Sequence, residues 1–294
     1  MNIESLFRCP VCGVGGLAER YVAVVCNACG AHFPEVGGIL LLVKNPTEHD
    51  AAIREAQAVN PEWYLAEQPP EEVSPWRHHL RKRRRYVEQV LRRELIKGGR
   101  QKAERVLDLG CGDGNNLRWL APFAERLYGS DYNLVRLARA QARATGATLF
   151  LADLLNYPAF DNSFDAIFFN HVIEHIPDDG AALATVHRIL KPGGLLVLGT
   201  PNEGAWWWQL AYRRAPNILA TTDHVHFYTA RTIGEKMKAA GLSVFEVEHL
   251  GWGPPDWRLD GRWRQHKIVD DLFEMFGRAL IPSQASSLYL IASK

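Results

Sequence analysis

The apolar run Arg105-Val-Leu-Asp-Leu109 leads straight into Gly110-Cys111-Gly112-Asp113-Gly114, and the helical pattern N-N-L-R-W-L follows at once. A short buried strand that turns on alternate glycines into a helix brings its backbone close to a ligand at the carboxyl edge of a sheet. Strand and helix patterns alternate from there on, which argues for an α/β fold with a parallel sheet covered on both faces. The next two strand patterns end in carboxylates, Asp131 in R-L-Y-G-S-D and Asp153 in T-L-F-L-A-D-L. Such turns hold nucleotide-like cofactors. The nicotinamide fingerprint is G-x-G-x-x-G, built to seat pyrophosphate on a helix N-terminus. Here the spacing is G-x-G-x-G with Asp108 two residues ahead, and a carboxylate there suits a positively charged ligand end better than a diphosphate. An acid at Asp131 suits ribose hydroxyls on either reading.

Four of the five cysteines stand in two knuckles near the start, Cys9-Pro-Val-Cys12-Gly and Cys26-Asn-Ala-Cys29-Gly. A C-x-x-C step lets two thiolates bind one tetrahedral zinc, and the following Gly can take the positive φ that turns N–H groups toward sulfur. Disulfides do not suit a cytosolic chain, and four protein ligands leave no open position for water, so the expected Zn²⁺ is structural. The stretch from Phe7 to Leu42 resembles the small zinc ribbons that activate RNA and protein methyltransferases and that are also fused in front of bacterial methyltransferase domains. The resemblance implies scaffolding or docking, with residues 1–46 as a zinc-ribbon domain.

The 294 residues are 47% hydrophobic, enough for a sizeable core. Lys plus Arg (34) balances Asp plus Glu (33), which excludes the overall basic excess of a protein held on nucleic acid by phosphate charge alone. The longest apolar run, Gly38 to Val43, is far below the roughly 18 residues of a membrane-spanning helix. The start M-N-I-E-S carries no secretory pattern, so a cytoplasmic location is expected. Residues 47–75 are polar, Ala-rich and interrupted by Pro61, Pro69, Pro70 and Pro75, which predicts a linker. From Trp76 to Lys97 a helix is expected, with Leu80, Tyr86, Val87, Val90, Leu91 and Leu95 on its packed face. Its basic run, Arg81 to Arg85, suits phosphate, RNA or an anionic membrane surface, or else a solvated face paired with Glu88 and Glu94.

The motifs D-L-G-C-G-D-G, S-D-Y, A-D-L, F-D-A-I-F-F-N-H-V-I-E-H and L-K-P-G-G-L-L-V-L stand in the order and spacing of the class I S-adenosylmethionine-dependent methyltransferases, which residues 76–294 resemble. The resemblance implies a Rossmann-like, doubly wound, mostly parallel sheet of seven strands, with the last strand antiparallel and terminal strands near Ser243–His249 and Ser287–Ala292. It implies that Asp108, Gly110, Cys111, Gly112 and Gly114 face the methionine part of S-adenosyl-L-methionine. Asp131 and Tyr132 are then on the ribose side and Asp153 and Leu154 beside the adenine, while Asn170 and His171 close the pocket. Cys111 precedes a helix N-terminus, which would activate a thiol, but a small residue is what the turn requires.

A sulfonium methyl is already electrophilic, so the chain must chiefly align an acceptor and exclude water. A hydroxyl acceptor also needs a base. His171 and His175 after the fourth strand, and His224 and His226 in D-H-V-H-F-Y, are the candidates, with Asp223 and His224 as the first acid–base pair. His171-Val-Ile-Glu-His175 matches a zinc-peptidase pattern, but it follows a strand directly and Pro177 forbids the long helix that chemistry needs. The segment V-I-E-H-I is similar to ubiquinone-biosynthesis O-methyltransferases, in which acidic residues and a histidine hold a divalent ion; His171 stands where those enzymes tend to have a carboxylate. Trp206, Trp207 and Trp208 point around a helix, so at least one is expected to contact substrate, a partner or a membrane. Residues 251–263 bring Trp252, Trp257 and Trp263 together with Arg258, Arg262 and nearby Arg264, an expected loop for stacking on a sugar, base or apolar ring. The N-P-P-Y type of sequence usual in nucleic-acid amino-methyltransferases is replaced by N-H-V-I. The expected activity is O-methylation of a small metabolite, sugar or lipid-linked intermediate. RNA or protein methylation with the ribbon and basic helix for docking is the alternative among enzymes, and a non-catalytic S-adenosylmethionine-binding module the alternative outside them.

Overall fold

The computed structural model describes residues 6–20, 23–143, 146–214, 223–254 and 256–294, and of Glu62, Trp63, Trp257 and Arg258 the backbone alone. The opening M-N-I-E-S, Pro255 and the side chains of Trp257 and Arg258 therefore lie outside the described residues. Among the described residues eleven strands form one sheet: β1 (Leu17–Arg20), β2 (Ala23–Cys26), β3 (His32–Val36), β4 (Ile39–Leu42), β5 (Ala103–Leu109), β6 (Ala124–Asp131), β7 (Thr148–Ala152), β8 (Phe164–Asn170), β9 (Leu190–Pro201), β10 (Ser243–Leu250) and β11 (Ser287–Ser293). Their order is β1-β2-β3-β4-β7-β6-β5-β8-β9-β11-β10. The seven strands from β7 to β10 form the expected doubly wound sheet, with β11 running antiparallel between β9 and β10. Strand order reverses between β5 and β8, the crevice where such sheets bind ligands.

The cysteine head extends this sheet. β4 pairs in parallel with β7, Leu40 opposite Phe150 and Leu42 opposite Ala152. Phe7 packs edge-on against Phe150 at 4.8 Å and bridges to Ala159. Leu17, Val24 and Phe33 share one core with Leu107, Tyr128 and Phe169. A head this short cannot exclude water from a core of its own, so it borrows the sheet's.

The linker expected over 47–75 is built differently. Residues Pro46–Val59 form a helix, capped by Asn45, whose side chain accepts the N–H groups of Thr47 and Glu48. Proline at the first helical turn lacks only an N–H that would go unbonded, so Pro46 and Pro61 open helices instead of breaking them. The next helix, Arg77–Lys97, runs as the apolar spacing predicts and buries Val87, Val90 and Leu91. Three members of its basic run are paired with acids: Arg81 and Arg84 meet Glu71, Arg84 also meets Glu88, and Lys82 meets Asp270 and Asp271, while Arg85 is exposed.

Candidate active site

Gly110 has φ +76°, and a Cβ there would come 2.3 Å from a Val172 methyl, so this turn accepts only glycine. The turn is tied to β6. The N–H groups of Gly110 and Cys111 donate to the Ser130 carbonyl, and that of Gly112 donates to Asp131 Oδ2 at 2.8 Å. The Asn133 N–H meets the other Asp131 oxygen at 2.8 Å. Asp131 is thus held in place by backbone amides and keeps lone pairs for hydroxyl donors.

These residues bound a cavity of about 790 Å³. Gly110, Cys111, Gly112, Asp131, Tyr132, Asp153, Leu154, Asn170 and His171 line it. Asp108 and Gly114 stand behind the lining: Gly114 abuts Ala140, and Asp108 is bonded through Asn116, which itself faces the cavity. Asp108 Oδ2 has no hydrogen-bond partner although it is buried, and Asn170 Oδ1 is in the same condition. Burial, with nearby Asp131 adding to it, pushes the Asp108 carboxyl up to about 8. A cationic ligand end would relieve both costs, which is how an amino acid attached to a sulfonium presents itself. Burial pushes the Cys111 thiol far up, so it is an inert small residue.

Residues 60–70 form a roof over this cavity, contributing Tyr64, Gln68 and Pro69. Asp113, fully buried, accepts the Gln68 N–H at 2.7 Å and lies 3.6 Å from Arg139. Asn133 donates to the Tyr64 carbonyl at 3.0 Å, and Arg139 to those of Leu65 and Ala66. Beneath, His49 donates to the Tyr132 carbonyl at 2.8 Å and sets its ring edge-on to Tyr132 at 4.2 Å. The roof and Asp113's part in it were missed at the sequence level; the only signal was the acid inside G-D-G.

A second cavity, about 950 Å³, adjoins the first, and Trp76, Leu80, Arg83, His171 and His175 line both. Trp207 and Trp208 stack at 4.4 Å and form its wall, while Trp206 faces solvent. Arg83, also missed at the sequence level, donates to His171 Nε2 at 3.3 Å and to Ser287 Oγ. Its Nε is buried without a partner, and among the described residues no carboxylate lies within ion-pair reach of it. A guanidinium so placed attracts a ligand carboxylate.

Glu174 is the hub of the second cavity. His171, held at the left-handed φ of +53°, places Nδ1 3.3 Å from its carboxylate; because Nε2 accepts from Arg83, Nδ1 carries the proton. Thr200 donates to the other oxygen at 3.2 Å. The Glu174 carbonyl accepts the N–H groups of Val225 and His226, which ties the D-H-V-H segment to the end of β8. Burial acts to raise the Glu174 carboxyl, but the bond from His171 and the imidazoles around it leave it lowered. His175 donates through Nδ1 to the Asp223 carbonyl at 3.0 Å and meets the His224 ring edge-on at 4.9 Å. Burial lowers His224 to about 4, although Glu174 opposes the shift.

Three sequence expectations change here. Asp223 and His224 are parted: Asp223 accepts from Asn60 at 2.9 Å outside both cavities, and His224 turns to His175 and Glu174. His226 also leaves the site, 3.1 Å from the Pro177 carbonyl and 3.7 Å from Asp179. Residues 257–264, expected in a stacking loop, form a helix in which Arg264 is buried against Asp270; Trp252 donates to the Ile281 carbonyl instead of facing a ligand.

In the head, the Cys9–Cys29 and Cys12–Cys26 sulfurs are each 3.7 Å apart, and the four lie within 4.8 Å of one another. A tetrahedron with zinc–sulfur bonds of about 2.3 Å has edges of about 3.8 Å, so the donor set fits zinc. Gly13 and Gly30 both take the positive φ expected of knuckles.

The family model described as a methyltransferase domain matches residues 76–247. A ubiquinone biosynthesis O-methyltransferase from Cereibacter sphaeroides is 29% identical over 165 residues, 52% of this chain and 66% of the relative, so the chain spans just under two thirds of it. The crystal structure of the N-methyltransferase NodS from Bradyrhizobium japonicum, in complex with S-adenosyl-L-homocysteine, superposes with a TM-score of 0.53 at 20% identity, covering 81% of this chain and 97% of that one. Phosphoethanolamine N-methyltransferase 2 of Haemonchus contortus, in complex with S-adenosyl-L-methionine, gives 0.54 at 19% identity, covering 90% and 62%. These likenesses show a shared fold. With more than half of its length matched by the family model, the chain belongs to the methyltransferase domain family, the class I S-adenosylmethionine-dependent methyltransferases.

Proposed function

We propose that the chain transfers a methyl group from S-adenosyl-L-methionine to an oxygen of a small acceptor, either a metabolite, a sugar or a lipid-linked intermediate. The observation that carries this reading is the pair of cavities that meet at Arg83, His171 and His175. The cofactor, when bound, supplies an electrophilic methyl group. Asp131 would take the ribose hydroxyls, Asp153 and Leu154 would flank the adenine, and Asn170 and Arg83 would meet the amino-acid end, with Asp108 acting on it from behind Asn116. His224, neutral throughout the physiological range, would accept the acceptor's proton, and Glu174 would stabilise the imidazolium that forms. His171 has both nitrogens engaged and would position Glu174. The aromatic wall of Trp207, Trp208 and Tyr212 would hold the acceptor and exclude water.

The pairing of Arg81, Lys82 and Arg84 with acids favours a small acceptor over docked RNA or protein. The head, taken as a zinc ribbon over residues 1–46, would serve the fold. A second reading of the acceptor site is supported by the Glu174, His175 and His224 ligand atoms, which lie within 4.8 Å of one another. Two imidazoles and a carboxylate suit a borderline divalent ion, which would acidify an acceptor hydroxyl. A calorimetric titration with Mn²⁺ tests this: saturable binding lost in Glu174→Gln supports it, and no heat rejects it.

The main test is calorimetry on the zinc-loaded protein with S-adenosylmethionine, S-adenosylhomocysteine and NAD. Binding of both adenosyl compounds alone is the expected result, followed by a screen of hydroxylated acceptors with labelled methyl. Binding of NAD alone overturns the cofactor, and cofactor binding without transfer to any acceptor leaves a non-catalytic module.

A further inference from the structure

The helix Lys267–Leu280 is turned inside out. Two of its three acids face the protein: Asp270, 1% exposed, pairs with Arg264 at 2.8 Å and with Lys82 at 2.7 Å, and the side chain of Glu274 is 15% exposed and held by Arg278. A Cβ on Gly277 would come 2.1 Å from Trp252, so this face is close-packed. Its apolar residues face outward. Ile268, Leu272, Met275 and Phe276 recur at the i, i+4, i+7, i+8 spacing of one helical stripe, and Ile268 is 74% exposed and Phe276 54%. Leu280, in the last turn, and Ile281, just beyond it, continue the stripe.

Two features name what covers this face. Tryptophans stand at its borders: Trp263, 45% exposed, stacks on Phe273, and Trp206, 58% exposed, donates its backbone N–H to Gln284 just beyond the helix. Exposed tryptophans flanking an apolar stripe suit a lipid headgroup boundary. The cations turned outward are Arg262, Lys267, which also pairs with Asp271, and Arg278, which also pairs with Glu248 and Glu274. The surface is moreover continuous with the acceptor site, because the preceding helix, Trp257–Arg264, lines the second cavity with Leu259 and Asp260.

We infer that this face docks on an anionic bilayer, with the stripe buried at the acyl boundary and the basic residues on lipid headgroups. The occupant is thus a membrane surface, and the second cavity opens beside it. The inference is independent of methyl transfer and is tested without it.

The test is flotation of the full chain with vesicles of phosphatidylcholine containing about 30 mol % phosphatidylglycerol, and with phosphatidylcholine alone. The wild type is expected to float with the anionic vesicles, and less so at high salt. Leu272→Glu/Phe276→Glu is expected to weaken binding by on the order of tenfold or more, and Arg262→Glu/Lys267→Glu to remove the preference for anionic lipid. All four sites are exposed, and unchanged thermal unfolding and S-adenosylhomocysteine binding confirm that each variant folds. Absence of flotation, or flotation that neither variant alters, overturns the inference. A dimer in lipid-free buffer that Leu272→Glu/Phe276→Glu converts to monomer overturns it in favour of a second copy.

Discussion

Asp108 is a carboxyl whose burial makes ionisation costly, and this has a measurable sign. With its pKa raised to about 8 in the fold and near 4 when unfolded, the folded protein binds the extra proton between those values. Stability contributed by the protonated group is complete below about pH 4 and is lost as pH rises toward 8. Ligand-free protein should therefore weaken over that window by up to a few kcal/mol, whereas Asp108→Asn should flatten the dependence and lower cofactor affinity at least tenfold. Denaturant unfolding across the window, on both proteins, decides it; parallel curves would remove Asp108 from the account. His224 makes the opposite kind of prediction. Because its pKa is lowered to about 4, activity should hold from pH 7 down to about pH 5, where an ordinary histidine base would already have lost most of it. His224→Gln should reduce kcat by about a hundredfold with cofactor affinity intact, and an acid limb near pH 6.5 would point to another base.

The glycine turn, Asp131 and Asp153 were readable at the level of elements because each lies in a contiguous strand-to-loop junction whose backbone chemistry dictates its residues. The roof was not readable. Its prolines look like breakers until Asn45 caps the helix that Pro46 begins, and Asp113 gains its meaning only by meeting Gln68, 45 residues earlier. Arg83 was hidden within a basic run whose members Arg81, Lys82 and Arg84 pair with acids, and its partner Ser287 lies 204 residues away. The same distance argument explains why Asp223 and His224, adjacent in sequence, serve different contacts. The roof carries its own prediction. Removing the Asp113 carboxylate frees the Gln68 amide and leaves Arg139 and Arg143 without it, but those guanidiniums are partly solvated, so the cost should be about 1–3 kcal/mol. Asp113→Ala should weaken S-adenosylhomocysteine binding about tenfold and open residues 60–70 to limited proteolysis. Cleavage elsewhere, with the affinity kept, would show that the roof does not depend on this contact.

The head and the sheet share one core at the scale of the whole molecule, and that sets what metal removal should do. β4 leaves the cysteine knuckles, pairs with β7, and after three residues becomes the helix that supports Tyr132 and leads into the roof. Leu40, Leu42, Phe33 and Phe7 are buried in the common core, so loosening the knuckles exposes apolar surface and frees the edge of β7 together. One zinc per chain is expected. Cys9→Ser/Cys12→Ser, or a chelator, should lower the melting temperature by on the order of 10 °C and weaken cofactor binding in the same step, although no cysteine of the head touches the cavity. An independent ribbon on a loose tether would give a different result: two unfolding transitions, with the cofactor-stabilised one unmoved by zinc. Scanning calorimetry with and without chelator, each in the presence of S-adenosylhomocysteine, separates the two. A single transition that shifts with both zinc and ligand is the outcome that the parallel pairing of β4 and β7 requires.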